Sequence, residues 1–164
     1  MSALTTGQQL QEGASPRSLH NILVVLRVVL GALMLEAGLT KLLGGGFSIS
    51  GYVSHGSGPF AALFADFATA STGLSPVVMW GETLIGLALI SGLFLRFASY
   101  WGMLMMVLYY LPYLPPTDGW ISKQVIYLFV YLTLIYSGSG YYFGLDKFAT
   151  DLEARHPGLR WILG

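Results

Sequence analysis

The sequence contains no cysteine. That excludes structural disulfides, thiolate-held iron–sulfur clusters, CxxC redox chemistry and covalent haem attachment. Charge is scarce as well. Only 10% of the residues are Asp, Glu, Lys or Arg, against roughly 25% in an average soluble domain. Eight basic and eight acidic residues cancel, and no basic patch offers itself to a phosphate backbone, so nucleic acid is excluded as a partner. The three histidines are His20 at a helix margin, His55 in a loop and His156 in the tail. None lies in the interior of a span, so no haem site is expected on this chain, and no metal site either. The patterns GxxxxGK[ST], HExxH and GxSxG are all missing, which removes three common enzyme signatures.

What is present is apolar. Hydrophobic residues make up 54% of the 164, aromatic residues 14%, and the mean hydropathy is +0.64. The length suits one domain. Four apolar runs stand out, at Leu19 to Leu43, Pro76 to Leu95, Ala98 to Leu114 and Ser122 to Ser137. A spanning helix needs about 20 residues, with about 17 as the lower limit. The first two runs meet this; the last two are short and need their aromatic ends in the interface. A soluble helical bundle needs a polar face on each helix, and little here supplies one. The expected fold is an all-α integral membrane protein, a four-transmembrane-helix antiparallel bundle. Residues 1–18 form a polar N-terminal segment, 19–145 the membrane domain and 146–164 a tail.

Gly44-Gly45-Gly46 closes the first run, Pro76 can open the second, and Pro112, Pro115 and Pro116 break the third before Asp118-Gly119. An even number of spans leaves both termini on one side. That side holds Arg17, Arg96, Lys147, Arg155 and Arg160, and the other only Lys41 and Lys123. The excess of cations places both termini in the cytoplasm of a multi-pass plasma-membrane protein. Trp80, Tyr109, Tyr110, Tyr113 and Trp120 then mark the outer aromatic belt, and Tyr100, Trp101, Tyr136, Tyr141 and Tyr142 the inner one. Met1 to Arg17 is polar and no small-residue cleavage site follows the first run, so a signal peptide is not expected.

The connection from Gly44 to Ser75 is the one long loop. Phe60, Leu63, Phe64 and Phe67 in it share one helical face. Pro59 suits the first turn, with Ser57 or Gly58 as cap. Two readings stand: a helix lying on the outer leaflet, or a lid over an intramembrane pocket.

Ionisable residues inside a bilayer cost several kcal/mol unless paired. The first run carries Arg27, Glu36 and Lys41, and the second Glu82. At about 100° per residue, Arg27, Gly31, Met34, Gly38 and Lys41 share a stripe, and Glu36 lies nearly opposite Arg27. Both polar directions are expected to face protein. By depth, Lys41 meets Glu82, and Glu36 can too. Lys123, Tyr127 and Tyr131 follow one another at every fourth residue on the last run. Glu36, Lys41, Glu82, Lys123 and Tyr127 are therefore expected to form one polar pocket in the outer half. Arg27 sits apart in the inner half, on Tyr136 or a backbone carbonyl. The pocket admits two uses. Lys41 and Lys123 can merely snorkel while Glu82 fixes the helix register. Alternatively the pocket holds a polar headgroup such as a quinone, or carries protons, since quinone carbonyls need donors and paired carboxylates shift in pKa.

The first run, Arg27-x3-Gly31 through Gly38-Leu-Thr-Lys41, resembles the start of the DoxX/DoxD family. The second, Gly81-Glu82 with Gly86 and Ser91-Gly92-Leu93, resembles its second helix, and Ser137 through Leu145-Asp146 its Gly-rich ending. The resemblance covers about Leu23 to Asp146 and implies a four-helix membrane protein. It also implies a redox association, since the family includes the large subunit of thiosulfate:quinone oxidoreductase, which works with a small partner subunit. On this resemblance Arg27, Lys41 and Glu82 match recurring polar positions. The expected function is a subunit of a membrane redox system, with quinone as the possible cofactor. The alternative is a non-catalytic subunit of a larger membrane complex. Expected partners are lipids and other membrane or redox subunits, or a second copy.

Overall fold

The structure is a computed structural model and describes residues 16–45, 47–56, 58–70, 74–114 and 119–149. Most of the polar N-terminal segment, Ser57, Pro115, Pro116, Asp118 and the tail from residue 150, with Arg155, His156 and Arg160, lie outside the described residues. All regular structure among the described residues is helical. The helices are α1 (Pro16–Leu43), α2 (Ile49–Ser54), α3 (Ala61–Ala70), α4 (Leu74–Ser91), α5 (Leu95–Tyr110), α6 (Lys123–Ser137) and α7 (Ser139–Phe143). Short 3-10 turns follow at Leu111–Tyr113 and Leu145–Ala149.

Local chemistry sets these boundaries. α1 runs 28 residues without an internal proline. It stops where Gly44 donates back to the Thr40 carbonyl (2.9 Å) and Gly45 turns to φ +65°, a conformation that favours glycine. Gly138 ends α6 in the same way, at φ +60°. Pro112 follows α5 inside a 3-10 turn, where its missing N–H breaks no α-helical bond.

Two helices, α1 and α4, are long and apolar enough to cross a membrane. α5 and α6 have 16 and 15 residues. α1 and α4 pack as one close antiparallel pair, and α5 and α6 as another. Glycines permit the first contact. A Cβ on Gly38 would lie 2.6 Å from the Thr83 nitrogen, and one on Gly86 2.5 Å from that of Leu35. Small residues at such crossings let backbones approach. In the second pair the Tyr131 ring lies on the bare Cα of Gly102.

The core between the pairs holds Leu30, Met34, Ile85, Leu89, Leu95, Met105, Met106, Tyr131 and Leu134. Large apolar side chains also cover the outside, among them Val29, Leu84, Trp101, Leu104 and Phe129. An outer surface this apolar fits lipid rather than water.

The long loop is mostly helical. α2 and α3 share a small cluster of Ile49, Val53 and Ala68, joined by Phe64. Phe60, Leu63 and Phe67 remain exposed. The unit is pinned across the bundle end, because the Gly58 amide donates to the Pro112 carbonyl (3.0 Å). A Cβ at Gly58 would collide with the Leu114 backbone.

Candidate functional site

Two charged clusters occupy opposite ends of the bundle. The first joins α1, α4 and α5. Lys41, in the last turn of α1, extends its ammonium to Glu82 on α4, donating to Oε1 at 2.5 Å and Oε2 at 2.6 Å. The Tyr109 hydroxyl on α5 donates to the same Oε1 at 2.6 Å. Glu82 is 2% exposed and Lys41 23%, so the carboxylate is enclosed while the ammonium retains an opening. The Phe47 and Tyr109 rings lie 4.8 and 5.5 Å from the Lys41 nitrogen, within cation–π range.

The α2–α3 unit closes over this cluster. The Tyr52 hydroxyl donates to the Tyr109 carbonyl (3.2 Å), and the Tyr113 hydroxyl to the Tyr52 carbonyl (2.9 Å). Burial, with neighbouring Tyr113 adding to it, pushes the Tyr52 phenol up to about 12. His55 turns away, its Nδ1 2.7 Å from the Gly51 carbonyl, as a loop residue does. Deeper in the core, Tyr131 is fully buried and its hydroxyl has no partner among the described residues. It lies within electrostatic reach of Glu82 and Tyr127.

Of the residues expected in one pocket, the structure brings together Lys41 and Glu82. Tyr127 lines the adjacent core, half-buried. Glu36 and Lys123 are exposed and do not join them. For Glu36 the reason is angular: its place opposite Arg27 turns it off the α4-facing side of α1, whatever its depth. Lys123 is the first residue of α6 and is exposed there. Tyr109, expected in an aromatic belt, instead turns inward. It lies a turn beyond the buried Met105 and Met106 on the same α5 face, and that spacing is the signal that assigns it to the core. Tyr52 and Phe47 carried no such signal, because their positions depend on how the loop folds.

The second cluster centres on Arg27, 1% exposed. Its Nη1 donates to the Ser139 carbonyl (2.7 Å) and its Nη2 to the Phe143 carbonyl (3.0 Å). A backbone carbonyl was one of the two expected partners; the other, Tyr136, is 82% exposed and points away. Asp146 is buried beside it. Its carboxylate accepts from the Phe94 and Leu95 amides (2.8 and 3.1 Å), capping α5 as an acid at a helix N-terminus does. Gly92 (φ +66°) and Phe94 (φ +53°) make the tight α4–α5 turn. A Cβ on Gly92 would press within 2.7 Å of the Arg27 guanidinium.

Among the described residues no group of three or more His, Cys, Asp or Glu could hold a metal ion. No curated protein and no solved structure matches the chain. The DoxX family model matches residues 22–111, from early α1 into the turn after α5. That stretch contains Arg27 and the whole Lys41–Glu82–Tyr109 cluster, and covers more than half of the sequence. With its two membrane-length apolar helices and its all-helical described structure, this chain belongs to the DoxX family of membrane proteins.

Proposed function

We propose that the chain is a four-span subunit of a membrane redox system, with the Lys41–Glu82–Tyr109 cluster as its site for a quinone headgroup. α5 and α6 complete the four spans, their length made up by aromatic ends. The greater number of cations at the Arg27 end argues for that end facing the cytoplasm.

One observation carries the reading: a carboxylate 2% exposed, held by a partly open ammonium and a tyrosine, beneath a helical cap. A purely structural ion pair would need no opening and no spare donor. Here the Tyr131 hydroxyl is buried without a partner, and such a group is costly unless something accepts from it. A quinone carbonyl is an acceptor of the right kind, so the residues fit the group. A bound quinone supplies two-electron, two-proton chemistry. Lys41 and Tyr131 would donate to its oxygens, and Glu82 would take or give a proton through Tyr109. The α2–α3 cap would keep water from the site.

The test is quinone content and decyl-ubiquinone binding of the full chain in nanodiscs. Wild type is expected to retain stoichiometric quinone. Glu82→Gln and Lys41→Ala are expected to lose it while the helical circular dichroism spectrum persists. Wild type without quinone, together with a Glu82→Gln variant that behaves identically, would instead favour the non-catalytic subunit of a larger complex. The apolar outer faces of α5 and α6 would suit that role.

A further inference from the structure

Between its first and last turns α1 carries one charged residue that the chain leaves uncovered. Glu36 is exposed, and it lies at mid-height. Gly38 abuts Met79 and Thr83, and Leu35 abuts Gly86, so Glu36 is level with about Thr83, the middle of α4 (Leu74–Ser91). At about 1.5 Å per residue the near end of α1, Leu43, is roughly 10 Å away and each end of α4 roughly 13 Å, both farther than a glutamate side chain reaches toward the interface. Its surroundings on that face are apolar, with Val25, Val29, Leu33 and Leu39 all exposed. Only 28% of the most apolar stretch of α1 is buried within the chain. Small residues, Ala32 and Thr40, lie one turn to either side of Glu36, leaving room for a second backbone to approach.

Resting on the membrane-spanning reading of α1, we propose that this face is the docking surface for a transmembrane helix of a different protein, one carrying a cation at mid-membrane depth. A carboxylate in hydrocarbon calls for an opposite charge. Among the described residues a second copy does not supply it. A two-fold pairing about this face sets Glu36 against Glu36. The exposed cations Arg17, Lys123 and Lys147 lie at or beyond helix ends. The partner's arginine or lysine would therefore sit against Glu36, with its small residues packed at Ala32 and Thr40.

The natural absence of cysteine allows a clean test. The full chain carrying Leu33→Cys is reconstituted in phosphatidylcholine vesicles with either of two synthetic Leu/Ala helices. Both bear one cysteine; one has a central arginine and the other a central leucine. The arginine helix is expected to cross-link about tenfold more efficiently, the scale of an interhelical polar contact in model peptides. Adding Glu36→Gln is expected to abolish that preference while the circular dichroism spectrum is unchanged. Equal cross-linking of the two helices would overturn the proposal. So would Leu33→Cys homodimers that form as efficiently as the arginine complex, or carbodiimide labelling of Glu36 that the arginine helix fails to suppress. Labelling of Leu33→Cys by a membrane-impermeant maleimide would overturn the spanning reading itself, and the proposal with it.

Discussion

The two charged clusters use similar residues in opposite ways. At one end Arg27 bonds to backbone carbonyls and Asp146 to backbone amides. At the other, the side chains of Lys41, Glu82 and Tyr109 hydrogen-bond to one another. Charges tied to backbone hold segments of chain in place, and they cannot rearrange without moving helices. Charges tied to side chains can exchange partners by rotation about a few bonds. The Arg27 end therefore acts as a joint between α1, the α4–α5 turn and α7, and the Lys41 end can rearrange without moving helices.

Substitutions sharpen this contrast. Arg27→Leu is expected to be the most damaging. It strands one buried and one partly buried carbonyl and leaves the buried Asp146 without its neighbouring cation, a loss of about 3–5 kcal/mol, read as failure to fold in detergent or a large drop in Tm. Asp146→Ala removes the α5 cap and should cost about 1–2 kcal/mol, measured by the same melt. Glu82→Gln should cost less, about 1 kcal/mol, because the partly exposed Lys41 can swing its ammonium outward. Its main effect should appear in quinone binding. A stability loss for Glu82→Gln as large as that for Arg27→Leu would erase the distinction between the two ends. Tyr109→Phe should leave folding nearly intact and weaken binding by several-fold, since it deletes one hydrogen bond to Glu82.

The smallest effect concerns the cap. The folded-state pKa of Tyr52 is raised by burial to about 12 from an ordinary 10.0. Its contribution is fully present below pH 10. As pH rises from 10 toward 12, the unfolded phenol ionises and the folded one does not, so that contribution is lost. Protease protection of the 47–70 segment should accordingly decline over that interval, and Tyr52→Phe should remove this component of the decline.

The four bundle helices were legible because each follows an apolar run that glycine or proline punctuates. Arg27 and Lys41 were legible as inward-facing from their shared stripe with Gly31 and Gly38, positions that pack on α4. The Lys41–Glu82 pair followed from depth. Depth misled for Glu36, where the angle around the helix decides which side faces protein. Tyr109 read as a belt residue because a tyrosine near a helix end has two possible homes, and only the α5 packing face separates them. The role of Asp146 could not be read in advance. It caps a helix 51 positions upstream, and no local pattern reports a partner at that separation.

That separation also sets an order of events during synthesis. Arg27 waits for carbonyls made 112 and 116 residues later. At roughly 5–20 residues per second the interval is on the order of ten seconds. Throughout it, the first helix holds a guanidinium for which its final acceptors do not yet exist. The growing chain must therefore keep α1 beside the translocation machinery or in a hydrated environment until residues 139–143 emerge. Ribosome-bound chains halted before Ser139 should remain cross-linkable to that machinery through α1, and chains halted well beyond Asp146 should be released.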